Sequence, residues 1–278
     1  MKINVAKTGG FCFGVRRALT IAQKTAESGA CVEMLGDIVH NEDVVKKLND
    51  AGIRTIKRLG RGENKILLIR AHGASQEVFD RALERGYRIV DATCPKVRKI
   101  YKLAEISKHE GCQVIIIGDK KHDEVRGIVG QLKGKAIVID SPEKIPLESI
   151  KRISKACVVV QSTQNLETTL QILARLRKHI RCLTFYNTIC KPTRVKQEEI
   201  KTLPVENDVM IIIGSRTSAN TRRLFEIAKS LNKRTHWIQS KEELKASWFK
   251  GAGSVGVMAG ASTPDQTTRG VIGCIQSF

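Results

Sequence analysis

One theme recurs along this chain and limits what it can fold into: a short β-branched run, a polar turn, then an amphipathic helical stretch. Lys65-Ile66-Leu67-Leu68-Ile69-Arg70 runs into Ala71-His72-Gly73-Ala74-Ser75 and a helix over 76–85. The run 113–117 leads into Gly118-Asp119-Lys120-Lys121-His122-Asp123-Glu124 and a helix. The run 157–160 leads into Gln161-Ser162-Thr163 and a helix ending near His179. The run 209–213 leads into 214–220 and a helix over 221–231, and 254–258 leads into 260–265 and a last helix. Strands alternating with helices imply parallel sheets with crossover helices. In such sheets ligands bind beyond the carboxyl ends of the strands, where all of these polar turns fall. Several of the turns open a helix, a position that suits phosphate.

Three cysteines stand at the mouths of expected helices. Cys12 lies in Gly9-Gly10-Phe11-Cys12-Phe13-Gly14-Val15, Cys94 in Asp91-Ala92-Thr93-Cys94-Pro95, and Cys190 in Thr188-Ile189-Cys190-Lys191-Pro192. Unpaired N–H groups and the positive end of the helix dipole favour a thiolate there. Three thiolates from distant parts of one chain suggest a shared centre. Three ligands without a fourth describe either an open zinc site or a 4Fe–4S cluster with one free iron, and all-thiolate ligation leans towards the cluster. The cysteines also cut the chain into near-equal thirds, 1–94, 95–190 and 191–278. We expect three similar α/β modules, with mainly parallel sheets, around a common centre.

Composition narrows the classes further. At 278 residues with 41% hydrophobic and 27% charged residues the chain is globular, not disordered. Eight cysteines without a CxxC pair disfavour both a zinc ribbon and, in a cytoplasmic chain, a disulfide framework. Cys31, Cys112, Cys157 and Cys182 adjoin apolar stretches and are expected to be buried and inert. The amino-terminal sequence enters a strand pattern with no apolar signal region, and the longest apolar runs are too short to span a bilayer. A soluble, cytoplasmic protein is expected. The net charge of +20 could attract nucleic acid, an anionic lipid surface or a phosphorylated metabolite. No nucleic-acid motif accompanies it, and aromatics for base stacking are only 4% of the chain.

An ordered set of local strings then becomes specific: Gly10-Phe11-Cys12-Phe13-Gly14-Val15, Val39-His40-Asn41, Ala71-His72-Gly73, Asp91-Ala92-Thr93-Cys94-Pro95, His122-Asp123-Glu124-Val125 and Gly260-Ala261-Ser262-Thr263-Pro264-Asp265. Together, across essentially the whole chain, they closely resemble the 4-hydroxy-3-methylbut-2-enyl diphosphate reductase (LytB) family. The resemblance implies three α/β modules around a central 4Fe–4S cluster held by Cys12, Cys94 and Cys190, with one open iron. It implies reductive loss of the allylic hydroxyl of a small diphosphate, giving isopentenyl and dimethylallyl diphosphates in the methylerythritol phosphate route to isoprenoids. Electrons would come from a ferredoxin or flavodoxin-type donor.

The same resemblance assigns roles. His40, His72 and His122 match the family's histidines around the diphosphate. Ser218, Asn220 and Ser262 match its hydroxyl and amide donors, a role compatible with helix capping. Glu124 matches the acid that protonates the departing hydroxyl, a step that loss of hydroxide needs. Ser162 and Thr163 stand where the family usually has two threonines, and Ser162 can hydrogen-bond the substrate oxygen or relay a proton. Ala219 replaces a common serine, removing a bond of about 0.5–1.5 kcal/mol, and Pro192 replaces a small, permissive residue. Rival readings are a diverged cluster enzyme acting on another phosphorylated substrate, or a basic nucleic-acid-binding protein with a structural cluster. The His40, His72, His122 and Glu124 set argues against the second.

Overall fold

Unbroken aliphatic runs become central strands in this protein because helices cover both faces of its sheets. The computed structural model describes all residues, Met1–Phe278. In chain order the elements are β1 (Lys2–Val5), α1 (Phe13–Ala26), β2 (Cys31–Leu35), α2 (Glu42–Asp50), β3 (Ile53–Ile56), β4 (Lys65–Ile69), α3 (Gln76–Glu84) and β5 (Arg88–Asp91). Then follow α4 (Pro95–His109), β6 (Gln113–Ile117), α5 (Asp123–Gln131), β7 (Ala136–Ile139), α6 (Leu147–Ile150), β8 (Lys155–Val160), α7 (Leu166–Leu176) and β9 (Cys182–Phe185). The last are α8 (Lys191–Thr202), β10 (Val209–Ile213), α9 (Ala219–Leu231), β11 (Thr235–Ile238), β12 (Ser254–Ala259) and α10 (Asp265–Gln276). No helix is long and apolar enough to cross a membrane.

The strands form three four-stranded parallel sheets, ordered β3-β2-β4-β5, β7-β6-β8-β9 and β1-β12-β10-β11. Two units contain them. Arg17–Ile38 and Lys46–Cys190 carry the first two sheets; Met1–Arg16, Val39–Val45 and Lys191–Phe278 carry the third. Read from the other edge, the third sheet is β11-β10-β12-β1, which repeats the pattern of the others: second strand, first, third, fourth. Its fourth strand is supplied by the amino terminus. Each candidate cysteine therefore follows the fourth strand of a sheet: Cys94 after β5, Cys190 after β9 and Cys12 after β1. In every sheet the strand order reverses between the first and third strands, the usual place for a ligand.

The period-2 geometry of a strand explains the β6 sequence. Ile115 and Ile117 pack with Val158 and Val160 against Ile172, Leu173 and Leu176 of α7. The intervening Val114 and Ile116 face α4 and α5 through Val97, Ile100, Val125 and Ile128. The third sheet repeats the division: Ile211 and Ile213 face Val271 and Ile275 of α10, and Met210 and Ile212 face Ile200 of α8 and Leu224 of α9.

Cys112 and Cys157 are buried as expected, and burial pushes the Cys157 thiol up while Ser107 Oγ donates to it at 3.0 Å. Cys31 and Cys182 are not buried; both are exposed. Each is the first residue of its strand, where the chain enters the sheet from solvent.

Candidate active site

In the unit of the first two sheets, His122, Glu124, Ser162 and Cys190 form one hydrogen-bonded series. His122 is the N-cap of α5, its Nδ1 accepting from Glu124 N at 3.2 Å, so the cap also orients the first turn that carries Glu124. Glu124 is 2% exposed and sits opposite the turn after β8. Its carboxylate accepts from Ser162 N at 2.6 Å and from Ser162 Oγ at 2.6 Å. Ser162 in turn accepts, at its carbonyl, from Cys190 N at 3.0 Å. One residue thus joins the acid, the hydroxyl and a candidate ligand. The Thr163 hydroxyl is engaged locally, accepting from Gln161 Nε2 at 3.0 Å, while Gln161 Oε1 accepts from Asp119 N at 2.9 Å and ties the two turns together.

On the other side of this series, the His72 and His122 rings meet edge-on with centroids 5.3 Å apart. The Ala71 carbonyl accepts from Cys94 N at 3.0 Å, joining the His72 loop to the second candidate ligand of this unit. Tyr101 of α4 donates to His72 O at 3.3 Å. Burial, with the Glu124 charge nearby, pushes the Tyr101 phenol far above its usual range, so it stays a donor. Gly73 turns the loop at φ +77°, and a Cβ there or at Gly127 would collide with the Tyr101 hydroxyl. Arg70 and Asp123 pair at 2.7 Å, linking the residues that precede the His72 loop and the first residue of α5.

The unit of the third sheet holds the remaining predicted residues. Cys12 N donates to Ala261 O at 3.2 Å, and the next residue, Ser262, donates from Oγ to His40 O at 3.1 Å. Asn41 follows His40 and caps α2, its Oδ1 accepting from Val44 N at 3.0 Å. Ser218 caps α9, accepting from Thr221 N at 3.3 Å. Asn220, in the first turn of α9, is 6% exposed, and its buried Nδ2 meets no acceptor within the protein. Its loop and that of Ser262 follow the neighbouring strands β10 and β12, and Gly260 N and Thr263 Oγ1 both donate to Ile213 O. An unmatched amide donor at a helix start, beside a second loop of hydroxyls, is arranged for an anion.

The whole length is family-like. Residues 3–276 match the family model described as LytB protein. The chain belongs to the LytB protein family. Among LytB relatives, one from Geobacter sulfurreducens named 4-hydroxy-3-methylbut-2-enyl diphosphate reductase is 40% identical over 278 residues, covering 100% of this chain and 98% of its own. One of the same name from Aquifex aeolicus is 38% identical over 280 residues, covering 99% and 96%. A solved structure described as (E)-4-hydroxy-3-methyl-but-2-enyl diphosphate reductase, the terminal enzyme of the non-mevalonate pathway, aligns over 100% of both chains at 37% identity and TM-score 0.72. A reductase structure from Plasmodium falciparum shares the fold, with TM-score 0.89 at 24% identity over 98% of this chain and 87% of its own.

Against this LytB frame, sequence reasoning missed Tyr101, the Arg70–Asp123 pair and Lys196, a lysine of α8 that is 2% exposed. Tyr101 and Lys196 lie in helices whose periodicity reads as ordinary amphipathic pattern. A tyrosine or lysine on the apolar face of such a pattern was the available signal.

Proposed function

We propose that this chain is a 4-hydroxy-3-methylbut-2-enyl diphosphate reductase whose proton path runs through Glu124 and Ser162. The observation that carries the reading is the triple engagement of Ser162: N–H and hydroxyl on the Glu124 carboxylate, carbonyl on Cys190 N–H. An acid fixed this tightly to a serine, whose carbonyl in turn holds a cysteine at a helix mouth, suits proton delivery beside a redox centre. Nucleic-acid binding has no use for it.

Cys12, Cys94 and Cys190 are partly exposed, and each immediately precedes a helix with its backbone N–H fixed by a hydrogen bond. Soft sulfur donors presented this way fit an iron–sulfur centre, and we assign them as the three ligands of a 4Fe–4S cluster with one open iron. When bound, that cluster supplies electrons and a Lewis-acidic iron. The protein's own residues do the rest. In its protonated form Glu124 gives up a proton to the departing oxygen, directly or through Ser162 Oγ, which takes the Glu124 proton as it releases its own; their separation of 2.6 Å permits the hand-over. The Ser162 N–H bond holds the carboxylate in place while the proton moves. His40, His72, His122, Thr163, Ser218, Asn220 and Ser262 are assigned to the diphosphate and the substrate oxygen, with helix starts at α5 and α9 adding backbone donors. The net charge of +20 favours the approach of such an anion. A ferredoxin or flavodoxin-type carrier is the assigned electron donor.

Anaerobic turnover of the iron-loaded protein with 4-hydroxy-3-methylbut-2-enyl diphosphate, dithionite and a mediator dye tests the reading. Isopentenyl and dimethylallyl diphosphates are expected. Iron-loaded protein that forms neither would overturn it.

A further inference from the structure

One of the largest fully buried side chains of this protein is a cation. Lys196 of α8 is 2% exposed, and its Nζ donates to the backbone carbonyls of Thr8 and, at 3.5 Å, Ala259. Two carbonyls compensate poorly for taking an ammonium out of water, where burial of an unpaired charge is expensive. Burial pulls the Lys196 pKa down to about 8, with Cys12 the foremost group opposing that fall, followed by Glu199 and Asp265, while Arg16 adds to it. The side chain is still a cation at neutral pH.

Its two acceptors locate it. Thr8 lies in the turn that leads from β1 to Cys12, and Ala259 ends β12, two residues before the carbonyl that takes the Cys12 N–H. One turn further along α8, the Glu199 carboxylate accepts from Thr8 N at 3.1 Å, from Lys7 N at 2.5 Å and from the Thr8 hydroxyl. Glu199 thus anchors that turn through three bonds. What Lys196 adds is a positive charge, held away from water between the two segments that fix Cys12.

We propose that Lys196 is a built-in counter-charge for the iron–sulfur centre ligated by Cys12, a positioning residue that raises the reduction potential of that centre and helps retain it. The proposal rests on the cysteine assignment above. Three thiolates outweigh the positive charge of an iron–sulfur core, so the assembly is anionic and becomes more so with each electron. A cation buried nearby is weakly screened and stabilises the reduced form more than the oxidised one. A buried ammonium without its own carboxylate gains a partner at the same time.

The test compares wild type, Lys196→Met and Lys196→Arg after anaerobic reconstitution, reading iron and sulfide per chain and the midpoint potential by spectroscopically monitored titration, with no substrate present. Methionine keeps length and packing and removes the charge; arginine restores the charge. Lys196→Met is expected to be harder to reduce by at least tenfold in the equilibrium constant, about 59 mV for one electron, with Lys196→Arg closer to wild type. A folded Lys196→Met that takes up no iron while Lys196→Arg loads fully also supports the proposal. Fully loaded Lys196→Met with the wild-type midpoint overturns it, as does equal loss of iron from both folded variants. A wild type that takes up no cluster overturns the cysteine assignment, and this proposal with it, and is recognised without any variant.

Discussion

Three hydrogen bonds converge on Ser162, and none of them is visible in the spacing of the residues they join. Glu124 and Ser162 are 38 positions apart and meet because β6 and β8 are neighbours whose following turns share one rim. The residue types were legible, since an acid in a helix first turn and a hydroxyl after a buried strand both occur in recognisable strings. Their contact was not, because it depends on strand order. Asn220 makes the complementary case. Its amide nitrogen is buried without an acceptor, a state that costs stability unless a ligand supplies one. Asn220→Ala should raise the KM for the diphosphate severalfold, consistent with one bond of about 0.5–1.5 kcal/mol, with little change in kcat and no loss of thermal stability. Steady-state kinetics and a melting curve check it; an unchanged KM would remove Asn220 from the binding set.

Elements were legible where both faces are buried and obscure where they are not. The runs at β4, β6, β8, β10 and β12 are continuous and aliphatic, and their expected positions agree with the structure within two residues. The edge strands β3, β5, β7, β9 and β11 are four residues each; all but the aliphatic β7 mix polar and apolar side chains, and segments so short and mixed do not announce themselves. The central strand β2 is hidden for another reason: it carries Glu33, 3% exposed, which Tyr87 Oη reaches at 2.5 Å and Lys65 Nζ at 3.0 Å. Burial opposes ionisation of Glu33, but the Tyr87 and Lys65 bonds outweigh it and hold the carboxyl below its usual range. A carboxylate with a lowered folded pKa contributes stability above its unfolded value of 4.5, and that contribution is lost as pH falls through the folded value. Tyr87→Phe should therefore unfold at a higher pH on acid titration and lose about 1–3 kcal/mol at neutral pH, measured by denaturant unfolding across pH. At the His72 loop, Gly73→Ala should raise the substrate KM by forcing the loop off Tyr101. The double variant Gly73→Ala/Tyr101→Phe should recover part of the loss, whereas additive losses would place the effect in backbone strain alone.

Across the whole molecule, the repeated theme foretold three similar α/β modules with parallel sheets, and the three sheets have that form. Cutting the chain into consecutive thirds hid one fact: β1 pairs with β12 and completes the last sheet. Residues 2–5 are too few and too mixed to reveal their partner, and pairing across the full length of the chain leaves no local trace. Deleting residues 1–5 should leave the β12 edge open and Val255 and Val257 unpaired on that side, lowering the melting temperature and promoting aggregation. Calorimetry with light scattering checks this, and an unchanged melt would contradict the role given to β1. The fold thus brings acid, hydroxyl and cysteine together from separate strand ends, and the proposed proton path stands or falls on what the acid does. The most direct measurement is product formation by iron-loaded Glu124→Gln, with iron content and substrate binding determined on the same sample. Wild-type iron and near wild-type binding are expected, with turnover reduced by on the order of 10²–10⁴. Undiminished turnover at full iron loading would contradict that path.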